Sequence, residues 1–350
     1  MNTRSENRFD HFGICLTCRL PTPDIVRYAK LADEAGIGSV WVNESHYYRS
    51  ALSALSAAAA VTRRILLGTG VVSTFARHPA FTAMDAATID ELSGGRFILG
   101  IGATPVWGEV SPLRDGERPL AAMREATEIV RGLLARNLVD YRGKSFTMLE
   151  SDHRCEWGAS LNFQPVRDKI PIFYGVNGPK LLRLAGKMAD GVLLTNPTTP
   201  KYVRECRAII EEGAREAGRS LTDFTVAAFV TFSVGDEREK ARDAVREMLA
   251  TYVDHVGVKR ADILGLTEAE VAGFKEAMQS GRAKAAAKLV KDDLIDRLAV
   301  AGTAEECADR FTAYIEAGLD VPVAFHTLGP NRERAIRIIG EKLIPAVCGN

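Results

Sequence analysis

Eight times along this chain of 350 residues, a short apolar run of strand length is followed by a stretch with the spacing of a helix. The runs are FGICL (Phe12–Leu16), SVWV (Ser39–Val42), ILLGTGVV (Ile65–Val72), RFILGIG (Arg96–Gly102), IPIFYGV (Ile170–Val176), DGVLLTN (Asp190–Asn196), FTVAAFVTFSV (Phe224–Val234) and DVPVAFH (Asp320–His326). After the first, Pro23 and Asp24 open a helix with apolar positions at Ile25, Ala29, Ala32 and Ala35, closed by Gly36. Helices are predicted likewise over Leu52–Val61, Pro79–Leu92, Leu120–Leu134, Pro179–Ala189, Lys201–Ala217, Glu237–His255 and Asn331–Leu343. Consecutive β-then-α units require parallel strands joined by crossover helices. Eight of them fit a (β/α)8 TIM barrel, an α/β fold, better than an open doubly wound sheet.

Two segments interrupt the rhythm, at about 139–169 and 257–300. The first contains DYRGKSF, which reads as a small hairpin. The second contains Thr267-Glu268-Ala269-Glu270, a capping box that opens another helix, and Thr303–Ala317 forms a helix after it. No internal repeat, low-complexity tract or linker marks a boundary, so residues 1–350 read as one barrel domain with two insertions.

Composition narrows the function classes. Forty-five basic and 45 acidic residues cancel, leaving no charge footprint for nucleic acid or an anionic membrane. The apolar run Ala51–Val61 falls short of the roughly 20 residues that a membrane span requires. The opening MNTRSENRFDHF has no apolar core and does not read as a secretion signal, so a cytoplasmic location is expected. Six cysteines are too sparse for a disulfide framework; Cys15 and Cys18 form a lone C-x-x-C, which reads as a chance pair at a strand end. No metal site is expected.

In a barrel of this kind, chemistry sits where strands end and β-to-α loops begin. After the second strand comes Asn43-Glu44-Ser45-His46-Tyr47-Tyr48-Arg49, rich in groups that move protons or donate hydrogen bonds. Glu44 and His46 are candidate acid–base residues there; the plainer alternative pairs Glu44 with Arg49. After the third strand, Gly70 suggests a bulge or a backbone that a ligand approaches closely, with Ser73 beside it. Thr104, Trp107 and Glu109 follow the fourth strand. After the fifth, Gly175-Val176-Asn177-Gly178-Pro179-Lys180 presents free amides at a helix N-terminus, where anions bind. The GxGxxG and Walker spacings, the G-x-S-x-G elbow and the H-E-x-x-H helix are all absent.

The stretches SVWVNESHYYRS, ILLGTGVVSTFARHPA, ATIDELSGGRFILGIG, IPIFYGVNGPKLLRLAGKMADGVLLTN and GPNRERAIRIIGEKL, in this order, resemble the luciferase-like flavin- and deazaflavin-dependent oxidoreductases. Within that superfamily the chain looks most like the methylene-tetrahydromethanopterin reductases and their bacterial relatives. The resemblance implies a barrel that holds an isoalloxazine-like ring against the third-strand bulge, with a non-proline cis peptide at Gly70–Val71. It implies that Gly175–Lys180 holds the coenzyme phosphate, with Thr195 also on the coenzyme. It implies acid–base roles for Glu44, His46 and Glu109, and substrate contacts for Ser45, Tyr47 and Trp107. Ser45 intervenes between the acidic residue and the histidine, and Cys15 stands where the methanopterin reductases carry a glutamate. A homodimer is implied as well.

Three functions follow as expectations. The first is an oxidoreductase that uses the 5-deazaflavin coenzyme F420 to transfer hydride to or from a small organic molecule. The second is an FMN-dependent monooxygenase that uses molecular oxygen. The third is a catalytically silent barrel that binds a flavin or a partner.

Overall fold

The computed structural model describes residues 12–45, 47–103, 119–148, 159–256 and 265–348. Strand β1 (Gly13–Thr17) pairs with β2 (Ser39–Asn43), and β2 with β3 (Leu66–Thr69), whose path resumes as the short β4 (Val72–Ser73). The ring continues through β5 (Phe97–Gly102). A hairpin of β6 (Tyr141–Arg142) and β7 (Thr147–Met148) precedes β8 (Ile172–Tyr174), β9 (Gly191–Leu194) and β10 (Thr225–Val234). After β11 (Ala299–Gly302), β12 (Val321–Leu328) pairs with both β10 and β1. Every barrel pairing is parallel and the ring β1-β2-β3-β5-β8-β9-β10-β12 closes on itself, so the chain is an eight-stranded TIM barrel with insertions.

The predicted helices form between the strands: α1 (Thr22–Glu34), α2 (Ala51–Val61), α3 (Pro79–Ser93), α4 (Pro119–Leu134), α5 (Pro179–Met188), α6 (Pro200–Glu216) and α7 (Arg238–Val256). Five of them, α1, α3, α4, α5 and α6, have proline in the first turn, where its missing N–H costs nothing. Inside the second insertion, α8 (Glu268–Ala286) opens on the expected Thr267/Glu270 capping box, and α9 (Asp292–Leu298) leads into β11. The alternation of the sequence did not suggest β11, because its four residues are enclosed in a stretch that otherwise reads as helix. It adds to the upper end of β10, pairing Thr231–Val234 with Ala299–Gly302. Val245, Leu249 and Val253 of α7 pack with Phe274, Ile295 and Leu298 into a satellite apolar cluster at this end. The predicted hairpin forms too: the fully buried Glu125 carboxylate of α4 accepts the backbone amides of Lys144, Ser145 and Phe146 at 2.8–3.0 Å. Cys15 ends up inside β1 and Cys18 just beyond it, both buried with free thiols.

The bore of the barrel is filled by Cys15, Trp41, Ile98, Phe173, Leu193, Phe229, Val323 and Phe325. Trp41 fits because its neighbour on β3 is Gly68, where a Cβ would overlap the indole. Likewise Gly100 of β5 lies so near β3 that a Cβ there would overlap the carbonyl oxygen of Thr69. The Thr69 hydroxyl donates to the Gly100 carbonyl and accepts from its amide, both at 2.8 Å, in place of regular ladder bonds. Overpacking of this kind costs about 1–3 kcal/mol or more when backbone must shift. Gly100→Ala is therefore expected to lower the stability by at least that amount in urea denaturation, whereas an ordinary strand position would gain from alanine.

Candidate active site

The C-terminal ends of the strands form the mouth, and the β3–β4 junction shapes one side of it. The Gly70–Val71 peptide is cis, as the family resemblance implied. The amide of Gly70 donates to the carbonyl of Val42 at 2.9 Å, and its Cα faces inward: a Cβ there would lie 2.6 Å from Cζ of Phe229. Val71 packs on Gly175, where a Cβ would lie 2.6 Å from its Cγ1. Ser73 is buried, and its hydroxyl accepts the Phe75 amide at 3.2 Å.

The loop after β8 continues this wall. The amide of Gly175 donates to the carbonyl of Ile101 at 2.8 Å, and Val176 is buried. The Asn177 side chain locks to Thr195 on the next strand end: Nδ2 donates to Oγ1, and the Thr195 amide donates to Oδ1 at 3.2 Å. The Tyr202 hydroxyl donates to the Asn177 carbonyl at 3.1 Å. Gly178 then opens α5 without a side-chain cap, followed by Pro179, and a Cβ on Gly178 would meet nothing within 4 Å. Gly178, Pro179 and Lys180 are exposed. An uncapped helix end beside open space suits a phosphate, which the amides and dipole would attract.

In the strand-2 loop, Asn43 ties the end of β1 to the loop: its Oδ1 accepts the Cys18 amide at 3.2 Å, and its Nδ2 donates to the Ser45 hydroxyl at 3.4 Å. The Glu44 carboxylate accepts the Ala51 amide at the start of α2 (3.4 Å) and pairs with Arg77 at 3.5 Å. Its partner is thus on the loop after β4, not Arg49, which instead donates to the carbonyl of Arg19. Tyr47 points outward, 81% exposed. His46, Thr104, Trp107 and Glu109 lie outside the described residues.

The structure adds a polar group that sequence reasoning did not single out. Tyr252 of α7 reaches over the mouth, and its hydroxyl lies 3.2 Å from Asn196 Nδ2 and 3.1 Å from His326 Nε2. Asn196 Nδ2 also donates to the Thr231 hydroxyl at 3.2 Å. His326 is aimed by a β-bulge: Phe325 pairs with Thr231 and Leu328 with Ser233, so β12 carries one residue more than β10 across this step. His326 and Leu328 take φ of 76° and 61°, left-handed values unusual for residues with a side chain. Burial, with the nearby Arg19 guanidinium, pulls the His326 pKa down to about 3. Burial also pushes the Tyr252 phenol and the Cys15 thiol well up, so all three groups are uncharged. His326 alone carried a signal in the sequence, a histidine at the end of the eighth strand. Tyr252 lies late in a helix, where position suggests nothing.

The mouth of the parallel barrel thus combines the Gly70–Val71 wall, an uncapped glycine-proline helix start and a group of neutral polar side chains. The chain is similar to known proteins over most of its length. A family model described as luciferase-like monooxygenase matches residues 11–321, and the chain belongs to that family. It is 35% identical over 345 residues to the 5,10-methylenetetrahydromethanopterin reductase of Archaeoglobus fulgidus, covering 95% of this chain and 98% of that protein. An F420-dependent glucose-6-phosphate dehydrogenase of Microbacterium testaceum is 27% identical over 338 residues, 92% of each chain. The solved coenzyme F420-dependent tetrahydromethanopterin reductase of Methanopyrus kandleri superposes with a TM-score of 0.84 at 29% identity, covering 96% of this chain and 98% of that one.

The depressed pKa of His326 has a measurable consequence. The unfolded imidazole titrates near 6.5 and the folded one near 3, so between these values only the unfolded chain binds the proton. The stabilisation is fully present above about 6.5 and is lost as the pH falls toward 3, at up to about 1.4 kcal/mol per unit. His326→Asn, which tolerates the left-handed backbone, is expected to show a shallower fall in Tm between pH 6.5 and 4 than the parent chain.

Proposed function

We propose that this protein is a coenzyme F420-dependent oxidoreductase that moves a hydride between the deazaflavin and a small organic substrate. The observation that carries the reading is the close-packed backbone wall at the mouth, in which Gly70 lies against Phe229 and Val71 against Gly175. The residues fit such a coenzyme: a flat apolar and backbone wall for the ring, then open space at an uncapped helix start for the phosphate. The names of the relatives support F420 over FMN, since the dehydrogenase from Microbacterium and the reductase from Methanopyrus are both F420-dependent. When bound, the coenzyme supplies two-electron hydride chemistry with little tendency to react with oxygen.

The chain's own residues then have three tasks. Gly70, Val71 and Ser73 hold the ring in place. Gly175, Val176, Asn177, Gly178, Pro179, Lys180 and Thr195 hold the coenzyme's other end, with the Asn177–Thr195 bond fixing the loop. On the strand-2 side, His46 exchanges a proton with the substrate, Glu44 supports it, and Glu109 is the second candidate acid. Ser45, Tyr47 and Trp107 contact the substrate. Arg77, paired with Glu44, anchors that carboxylate.

Titration of the protein with F420 and, separately, with FMN tests the cofactor. F420 is expected to bind, and the 420 nm absorbance to change under anaerobic turnover without oxygen consumption; tight FMN binding with oxygen uptake would overturn the reading. Gly178→Val is expected to weaken F420 binding at least tenfold while leaving Tm unchanged, because a Cβ at this position meets no protein atom. His46→Ala is expected to lower turnover by about 10²–10⁴-fold with F420 affinity unchanged. Normal turnover in that variant would move the proton-transfer role to Glu44 or Glu109.

A further inference from the structure

Buried polar atoms in folded proteins are almost always hydrogen-bonded, because leaving one without a partner forfeits its hydration for nothing. Asn196 breaks this rule at the mouth of the barrel. It is 9% exposed, its Nδ2 is engaged by Thr231 and Tyr252, and its Oδ1 is buried with no hydrogen-bond partner among the described residues. The amide is held on every side. The Thr231 hydroxyl fixes it from β10. Tyr252, itself packed against the side chains that fill the bore, fixes it from α7. Asn196 donates to the Tyr252 hydroxyl, which shares a second hydrogen bond with His326 Nε2, and the β12 bulge with its left-handed backbone holds that imidazole at this point. Three strand ends and a helix thus orient one carbonyl oxygen that bonds to nothing among the described residues.

We propose that Asn196 is a substrate-binding residue whose side-chain carbonyl accepts a hydrogen bond from an N–H or O–H of a neutral substrate, with Tyr252 and His326 as its positioning residues. This rests on the proposed F420 reading, which gives the coenzyme the wall from β3 to β8 with Thr195 and sets the substrate beside the strand-2 loop, and which leaves Asn196, Thr231, Tyr252 and His326 without a task. The groups that face the amide define the class of molecule. His326 and Tyr252 are uncharged, and no carboxylate is among the amide's partners. Arg19, whose charge bears on both Tyr252 and His326, disfavours a cationic substrate. A planar heterocycle with a ring N–H, lying on the coenzyme ring, has the required donor.

The probes are 2-pyridone and N-methyl-2-pyridone, which differ by one N–H donor, titrated by NMR into the full chain with and without F420. The parent protein is expected to bind 2-pyridone about tenfold more tightly, the usual consequence of leaving one buried acceptor unpaired. Asn196→Ala is expected to abolish this ratio, and Tyr252→Phe, which keeps the ring and loses only the hydroxyl, to reduce it several-fold. F420 affinity is expected to stay within twofold in both. An undiminished ratio in these variants, equal binding of the two probes by the parent, or a tenfold loss of F420 affinity in Asn196→Ala overturns the proposal. If Asn196→Ala does not fold, Tyr252→Phe decides alone. Failure of the parent protein to bind F420 overturns the cofactor reading, and the pyridone ratio of the coenzyme-free chain then decides this proposal separately.

Discussion

An eight-stranded parallel barrel is only wide enough for its own side chains, and the fit of aromatic rings against glycine backbone inside the bore sets much of what lies above it. Trp41 occupies the room left by Gly68, and Phe229 lies against Gly70. Gly100 lets β5 approach β3 until the Thr69 hydroxyl takes over the bonding between them. These contacts fall at Gly68, Thr69 and Gly70, the residues that lead into the Gly70–Val71 peptide, so the same packing that fills the core fixes the backbone that the coenzyme ring is proposed to meet. Phe229 in turn stacks on Phe325 at 4.3 Å, and Phe325 abuts His326 at 3.8 Å. The wall at β3 and the polar group at β12 are therefore joined through two rings.

The mouth divides by chemistry. On one side, from β3 to β8, it offers backbone, small residues and an open helix start, suited to a flat ring and a phosphate. On the other, neutral side chains hold one another through hydrogen bonds beneath α7. The second insertion makes this possible, since the apolar cluster of α7, α8, α9 and β11 holds α7 where Tyr252 reaches across the mouth. Burial keeps His326 and Tyr252 neutral, so these two groups offer hydrogen bonds without charge of their own.

Much of this could be read in the sequence because its signals are local. Apolar runs such as IPIFYGV and DGVLLTN mark strands that are buried on both faces, and proline at a helix start marks the return. The break in the strand at Gly70 and the helix start at Gly178–Pro179 were legible because glycine and proline report backbone demands at a single position. The partner of Glu44 was not, because Arg77 is brought beside it from another loop by the pairing of β2 with β3. Asn196, Thr231, Tyr252 and His326 were missed for the same reason, being spread over 131 positions from Asn196 to His326 with no shared spacing.

By itself, the sequence determined the order of the eight barrel strands and of the helices between them, the closed barrel that eight β-then-α units imply, and the two insertions. Those features follow from short-range rules: periodicity, capping, and the residues that begin and end a helix. Only the tertiary structure decided which loop side chains meet. It bound Glu44 to Arg77, extended β10 with the unforeseen β11, and used a one-residue bulge in β12 to turn His326 toward Tyr252. A bulge leaves no mark in an apolar run, and a contact between distant strand ends depends on how the ring closes, which no local pattern encodes.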